Sequence, residues 1–233
     1  MDYSDKSYEE RLAALFVKFP SVQKAGFGNG AYKEGLDGMR RLDGVLGHPH
    51  TEFRTVHVAG TNGKGSVSSM IAASLAAEGM KTGLYTSPHL VDFRERMKIV
   101  SGDRYEMISK QDVWEFLDTY DSALEGLSFF EITTGMCFWW FRKKEVDAAV
   151  IETGLGGRLD STNIITPQIS VITSIGLDHC ALLGNTRQLI AAEKAGIFKK
   201  GVPAVIWGHD KETDPVFESA AQRTGTELFY AQP

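Results

Sequence analysis

Apolar residues along the chain follow two alternating patterns. In some stretches they recur every three or four positions; in others, short runs of β-branched and small apolar residues stand together. These are the periods of amphipathic helices and of buried strands. A first helix is predicted from the capping-box spacing of Ser7 and Glu10, with Tyr8, Leu12, Leu15, Phe16 and Phe19 on one face until Pro20 ends it. Gly26, Gly28 and Gly30 mark a loop, and Leu36, Met39, Leu42 and Leu46 a second helix. A strand over 55–59 then leads through a glycine turn into a helix with Val67, Met70, Ile71 and Leu75 aligned. A strand at 82–86, a polar loop through Arg96 and a hairpin over 97–108 follow, and Ser109 opens a helix bearing Val113, Phe116, Leu117 and Tyr120. Segment 130–141 is apolar nearly all round, which predicts a buried helix. The runs at 146–151 and 169–175 are continuous, as in parallel strands covered on both faces. Asn185 is read as the cap of a helix reaching about Ile197, followed by a strand at 203–207, a helix at 213–223 and a strand-like stretch at 227–230. This alternation predicts an α/β fold: a doubly wound, mostly parallel sheet with helices on both faces, in one domain over 1–233.

Composition narrows the function classes. The 25 basic and 30 acidic residues leave a net charge of −5, which excludes a nucleic-acid binder that relies on bulk positive charge. The longest apolar stretch, 136–141, is far short of the ~20 residues of a membrane helix. Asp2 and Asp5 stand where an export signal carries basic residues, and Cys137 and Cys180 lack metal-ligand spacing. A reducing, cytoplasmic location is the expectation. The 24 glycines are in excess, and where they fall carries the chemistry.

Gly60, Thr61, Asn62, Gly63, Lys64, Gly65 and Ser66 make a glycine-rich turn between a predicted strand and a predicted helix. There a helix N-terminus offers N–H groups and positive dipole to a phosphate chain, and Lys64 adds a point charge for the β- and γ-phosphates. The general phosphate-loop pattern is met imperfectly: Val58 replaces its first glycine, and Gly65 takes the hydroxyl position after the lysine, so the hydroxyl is delayed to Ser66. An ATP-type site is predicted. Glu152 ends a hydrophobic strand, where ligands bind in open α/β sheets, and its carboxylate suits Mg²⁺.

The run Gly60-Thr61-Asn62-Gly63-Lys64 resembles the loop of Mur-type amide ligases, and its Gly65-Ser66 ending resembles the folylpolyglutamate synthase/dihydrofolate synthase branch. Four further segments resemble that branch in order and spacing: Thr86-Ser87-Pro88-His89-Leu90, Phe130-Glu131, the run from Glu152 to Asn163, and Asp178-His179 followed by Glu193-Lys194-Ala195-Gly196-Ile197. The resemblance covers about Gly35 to Val205 and implies a P-loop-type fold like the central domain of Mur ligases. It implies one or two Mg²⁺ on Ser87, Glu152 and His179, with Lys64, Glu152, His179 and Lys194 as the catalytic set, Lys194 being carbamylated. It places the pterin or pteroate pocket along Ser128, Phe129, Phe130 and Glu131, along Leu159, Asp160 and Ser161, and near 31–33. Trp139 and Trp140 are left to the core, and His89 to packing of its turn.

The activity implied is joining of L-glutamate to dihydropteroate or a folate at the expense of ATP, through an acyl phosphate, in folate biosynthesis. Members of the branch carry a second, C-terminal domain for glutamate and adenine, so a chain of 233 residues is expected to be a fragment with little ligase activity. Two other readings stand beside this one: a Mur-type ligase of cell-wall synthesis, and a nucleotide-binding module without catalysis.

Overall fold

A computed structural model describes residues 3–20 and 35–232. The loop glycines at 26–30 and the pocket segment predicted at 31–33 lie outside the described residues. Among the described residues, eight strands form one sheet in the order β4-β3-β2-β5-β1-β6-β7-β8. These are β1 (Arg54–Ala59), β2 (Thr82–Tyr85), β3 (Met97–Ser101), β4 (Arg104–Met107), β5 (Ala148–Glu152), β6 (Ile169–Ile172), β7 (Ala204–Ile206) and β8 (Leu228–Tyr230). From β2 to β8 every pairing is parallel; β3 alone runs the other way, paired with β2 and, through a hairpin, with β4. The fold is the mostly parallel α/β sheet expected. The described helices are α1 (Asp5–Lys18), α2 (Asp37–Leu46), α3 (Lys64–Ala77), α4 (Lys110–Thr119), α5 (Phe129–Lys143), α6 (Cys180–Leu183), α7 (Arg187–Ala195) and α8 (Asp214–Thr224).

Strand alternation sorts the core into layers. Val58, Leu84 and Val150 point to the face covered by α3, where they meet Ala72. Tyr85, Ala149 and Ile151 point the other way, into an aromatic core with Phe138, Trp140 and Phe141 of α5 and Met39 and Leu42 of α2. Farther along that second face, Ala59, Ile172 and Ile206 pack under α7 and α8 through Ala191, Ala195 and Phe217. Helix α5 is buried on almost every side, as its all-round apolar pattern predicts.

Three local expectations are corrected. Helix α1 begins a turn early because Ser4 and Ser7 cap each other reciprocally, and Ser7, deep in the first turn, is not the cap. Met70, expected on the buried face of α3, is 67% exposed, because that helix lies on the sheet through the small residues Ser68, Ala72 and Ala76. Thr186, not Asn185, caps α7, its hydroxyl accepting from the Leu189 N–H, and Cys180–Leu183 forms a separate short helix.

The connection from β1 through α3 leads to β2 on one side, while β5 leads to β6 on the other. The turns after β1, β2, β5 and β6 therefore open at one edge of the sheet, around the point where the strand order diverges. That is where open α/β sheets hold ligands.

Candidate active site

The turn between β1 and α3 is held from below by the segment after β6. The Thr61 N–H donates to the Ser174 carbonyl at 2.7 Å, and the Asn62 N–H to the Ser174 hydroxyl at 3.2 Å. The Thr173 hydroxyl donates to the Asn62 carbonyl at 2.8 Å, and the Gly176 N–H to the Thr61 hydroxyl at 3.0 Å. Gly60 is confined by this clasp: its φ is +154°, and a Cβ there would lie 1.7 Å from the Thr173 hydroxyl. Gly63 stands in the left-handed region at the N-cap of α3, with no side chain capping the first-turn N–H groups. The positive end of α3 is thus presented to an anion. Lys64 folds back to donate to the Thr61 carbonyl at 3.2 Å, and Ser66 is exposed on the first turn.

Glu152, 3% exposed, brings a second segment to this loop. One carboxylate oxygen accepts from the Ser87 N–H at 3.0 Å and lies 3.5 Å from the position of a Cβ on Gly65. Burial pushes the Glu152 pKa up to about 7; the Ser87 N–H and the charges of Lys64 and Arg96 oppose the shift, and Asp160 adds to it. On the other side of the loop the Lys194 ammonium, 4% exposed, donates to the Gly60 carbonyl at 2.7 Å. Burial, and then repulsion from Lys64, push its pKa down to about 8, against Asp178 and Asp160.

The turn after β5 is clamped onto α7. Arg158 donates through Nε and Nη2 to Glu193, and Asn163 Nδ2 donates to the carbonyls of Arg158 and Gly196. Gly157 allows the approach, since a Cβ there would meet the Glu193 carbonyl at 2.8 Å. Inside the turn Asp160 accepts four hydrogen bonds, from the N–H groups of Gly154, Leu155 and Thr162 and from the Thr162 hydroxyl. Burial raises the Asp160 pKa, and those four donors resist the rise. Ser161 is buried and Leu159 half-buried beside it.

The residues expected around a pterin are distributed as follows. Ser128 and Glu131 cap α5 reciprocally, the buried Glu131 carboxylate accepting from the Ser128 N–H and hydroxyl. The Phe130 ring lies against Gly154, where a Cβ would come within 2.6 Å, and so joins the β5 turn. Phe129 stacks on Phe16 and lies under the Arg96 guanidinium at 5.2 Å. His89 holds its turn as expected, its Nδ1 accepting from Arg96 Nε at 2.8 Å. His179 is exposed at the start of α6, its Nε2 3.5 Å from the Asp178 carboxylate. Among the described residues no three His, Cys, Asp or Glu side chains converge as a metal cluster. The donors that do meet at the phosphate loop, the Glu152 carboxylate beside Ser87, are hard oxygens of the kind Mg²⁺ takes together with phosphate and water.

Sequence reasoning passes over His57. The imidazole is fully buried on β1, on the face toward the β5 turn, with Nε2 2.8 Å from the Thr162 hydroxyl and Nδ1 without a partner among the described residues. Its position between Val56 and Val58 marks it as a strand residue; its partner 105 residues away leaves no local signal. Burial and the Lys199 charge push its pKa down to about 3 from an ordinary 6.5. Between those values the unfolded chain binds a proton at His57 that the folded chain refuses. Stability is therefore full above pH 6.5 and falls on acidification, by about 1.4 kcal/mol per pH unit for this one group. Urea midpoints taken from pH 7 to 4 are expected to fall less steeply in His57→Gln. Equal slopes in the two proteins would assign the acid loss to other groups.

Comparison with known proteins bears on this geometry. Residues 58–232 match the Mur ligase middle domain. The chain is 41% identical over 232 residues to folylpolyglutamate synthase of Lacticaseibacillus casei, covering 95% of this chain and 51% of that protein. It is 40% identical over 201 residues to dihydrofolate synthase/folylpolyglutamate synthase of Bacillus subtilis, covering 82% and 46%. Among solved structures, folylpolyglutamate synthase of Thermotoga maritima superposes with a TM-score of 0.84 at 36% identity, over 98% of this chain and 50% of that one. Escherichia coli FolC in complex with DHPP and ADP does so with 0.83 at 31%, over 96% and 51%, and an FPGS–AMPPCP–folate complex with 0.85 at 36%, over 96% and 53%. The chain spans about half the length of the curated relatives it matches. Among the described residues no helix is long and apolar enough to cross a membrane.

Proposed function

Because the chain belongs to the Mur ligase family, within its folylpolyglutamate synthase/dihydrofolate synthase branch, we propose that it builds the phosphate and acceptor side of an ATP-dependent amide ligase. The reaction joins L-glutamate to the carboxylate of dihydropteroate or a folate. The observation that carries this reading is the meeting at one loop of three segments distant in sequence: the N-terminus of α3, the buried Glu152 tied to Ser87, and the buried Lys194. A phosphoryl group passing to a carboxylate brings two anions together, so the site has to supply cations and positioning more than covalent chemistry. Lys64 and the first turn of α3 hold the β- and γ-phosphates, with Gly60 to Ser66 wrapping the chain. The acceptor carboxylate attacks the γ-phosphorus and ADP leaves; the glutamate amine then attacks the acyl phosphate and inorganic phosphate leaves. Ser87, Glu152 and His179 would hold one or two Mg²⁺, which neutralise phosphate charge when bound. Phe130 and the turn from Leu159 to Ser161 line the acceptor, with Ser128, Phe129 and Glu131 behind them. The relatives named as folate synthases favour this reading over a cell-wall ligase, and the complexes with AMPPCP and folate and with DHPP and ADP support both ligands.

Thermal melting of the chain tests the proposal. A ligand that binds only the folded state adds about 2.7 kcal/mol at 100 times its Kd. Mg·ATP and dihydropteroate are each expected to raise the Tm, and Lys64→Ala to abolish only the nucleotide shift. A cooperative melt that neither ligand moves would count against the assignment.

Lys194 is proposed to carry a carbamate, formed when its neutral amine adds to CO₂ and releases a proton. Its pKa near 8 leaves a large neutral fraction at mildly alkaline pH. A carbamate resonance from ¹³C-bicarbonate is expected at pH 8 and should vanish in Lys194→Arg; a spectrum without it in the parent protein removes the modification.

A further inference from the structure

One buried group in the site has no role in the chemistry above. His57 lies on β1, three residues before Gly60, and its side chain reaches away from the phosphates toward the β5 turn. From it a continuous chain of hydrogen bonds runs through the Thr162 hydroxyl (2.8 Å) to Asp160 Oδ1 (2.5 Å). Asp160 Oδ2 in turn accepts from the N–H groups of Gly154 and Leu155, both at 2.8 Å. With Asp160 ionised, donor and acceptor counting assigns the protons along this chain. Asp160 takes four donors on two oxygens, which is the pattern of an ionised, acceptor-only carboxylate. The single Thr162 hydroxyl proton is therefore spent on Asp160, and the Thr162 oxygen can only accept from His57. Neutral His57 must then carry its proton on Nε2, which leaves Nδ1 as a lone pair, in accord with its buried, partnerless position.

We propose that His57 is a positioning residue for the acceptor substrate: its Nε2–H fixes the rotamer of Thr162, and through it the Asp160 carboxylate and the turn from Gly154 to Ser161. The strand that delivers the phosphate loop thereby also sets the shape of the acceptor wall. Lys194 reinforces the same join from α7 by holding the Gly60 carbonyl. The positioning of the turn follows from the hydrogen bonds alone; its consequence for a pteroate acceptor rests on the reading given under Proposed function.

Three variants separate the outcomes. His57→Leu removes the donor at similar volume, His57→Gln can restore an N–H donor, and Thr162→Val removes the relay. Ring ¹⁵N shifts are expected to show His57 as the neutral Nε2–H tautomer, without titration from pH 5 to 8. Amide hydrogen exchange at Gly154 and Leu155 is expected to quicken at least tenfold in His57→Leu and Thr162→Val and to return toward the parent rate in His57→Gln. Dihydropteroate Kd should rise about tenfold in His57→Leu, recover in His57→Gln, and leave Mg·ATP affinity unchanged. The Leu and Val changes together should weaken dihydropteroate binding no more than either alone. An Nδ1–H or titrating ring, or unchanged exchange at both amides in a folded His57→Leu, overturns the positioning role. Loosened amides with unchanged dihydropteroate affinity overturn the link to substrate. A parent protein that binds no pteroid, yet shows the expected tautomer and exchange, disproves the acceptor assignment and leaves the positioning of the turn standing.

Discussion

Lys64→Ala is expected to lower kcat of the proposed ligase reaction at least ~100-fold, through lost stabilisation of charge on the transferring phosphoryl group. The loss should exceed that of one phosphate contact because Lys64 acts on two other groups. Its charge opposes the rise of the Glu152 pKa and contributes to the fall of the Lys194 pKa. Without it Glu152 holds its proton to higher pH, and Lys194 is protonated over more of the neutral range. A carboxylate is lost to metal binding and a neutral amine is lost to CO₂, together with the cation itself. The three effects have different signatures. Lys64→Arg keeps the charge on a larger, planar head, so it should recover the Lys194 carbamate signal more fully than it recovers turnover. Unchanged kcat in Lys64→Ala would remove the lysine from the mechanism.

How much of this was legible in the sequence depends on how far apart the partners lie. The phosphate loop could be read because strand, turn and helix are contiguous, and Gly63 answers to backbone geometry within the loop itself, while Gly60 also leaves room for Thr173. The clasp that supports it, from Thr173, Ser174 and Gly176, is more than a hundred residues away and has no pattern of its own. The parallel sheet was readable from unbroken β-branched runs, whereas the exposure of Met70 was not, because contact with the sheet selects small residues on α3 as much as apolar ones. The spacing of Ser7 and Glu10 misplaced the start of α1, because the reciprocal hydrogen bonds of Ser4 and Ser7 decide where the helix begins. Ser128 and Glu131 illustrate a residue pair that two demands can share. They fit the resemblance to a pteroate site, and they also satisfy the spacing of a capping box, which is what their hydrogen bonds complete.

Glu152→Gln is expected to reduce kcat by about 10²–10³-fold while making the empty protein more stable. The side chain keeps its shape, and its amide oxygen can still accept from the Ser87 N–H, so the turn after β2 should hold. What disappears is a carboxylate charge that the fold tolerates poorly. Its pKa stands near 7 where an ordinary glutamate has 4.5, so above pH 7 the folded state carries a penalty on the order of 3 kcal/mol for ionising this group. The sign follows from proton binding: the folded chain holds a proton at Glu152 that the unfolded chain has released between pH 4.5 and 7. Stability therefore declines through that interval as pH rises, and the neutral amide escapes the decline. A purely structural glutamate, paired and satisfied, would show the reverse, with the Gln variant losing stability at neutral pH. A raised Tm at pH 8 without ligand, together with a Tm that no longer responds to Mg²⁺ in the presence of ATP, would identify a charge held against the preference of the fold for the ligand it binds. A Gln variant that melts lower and still shifts with Mg·ATP as the parent does would sink the assignment of Glu152 to the metal.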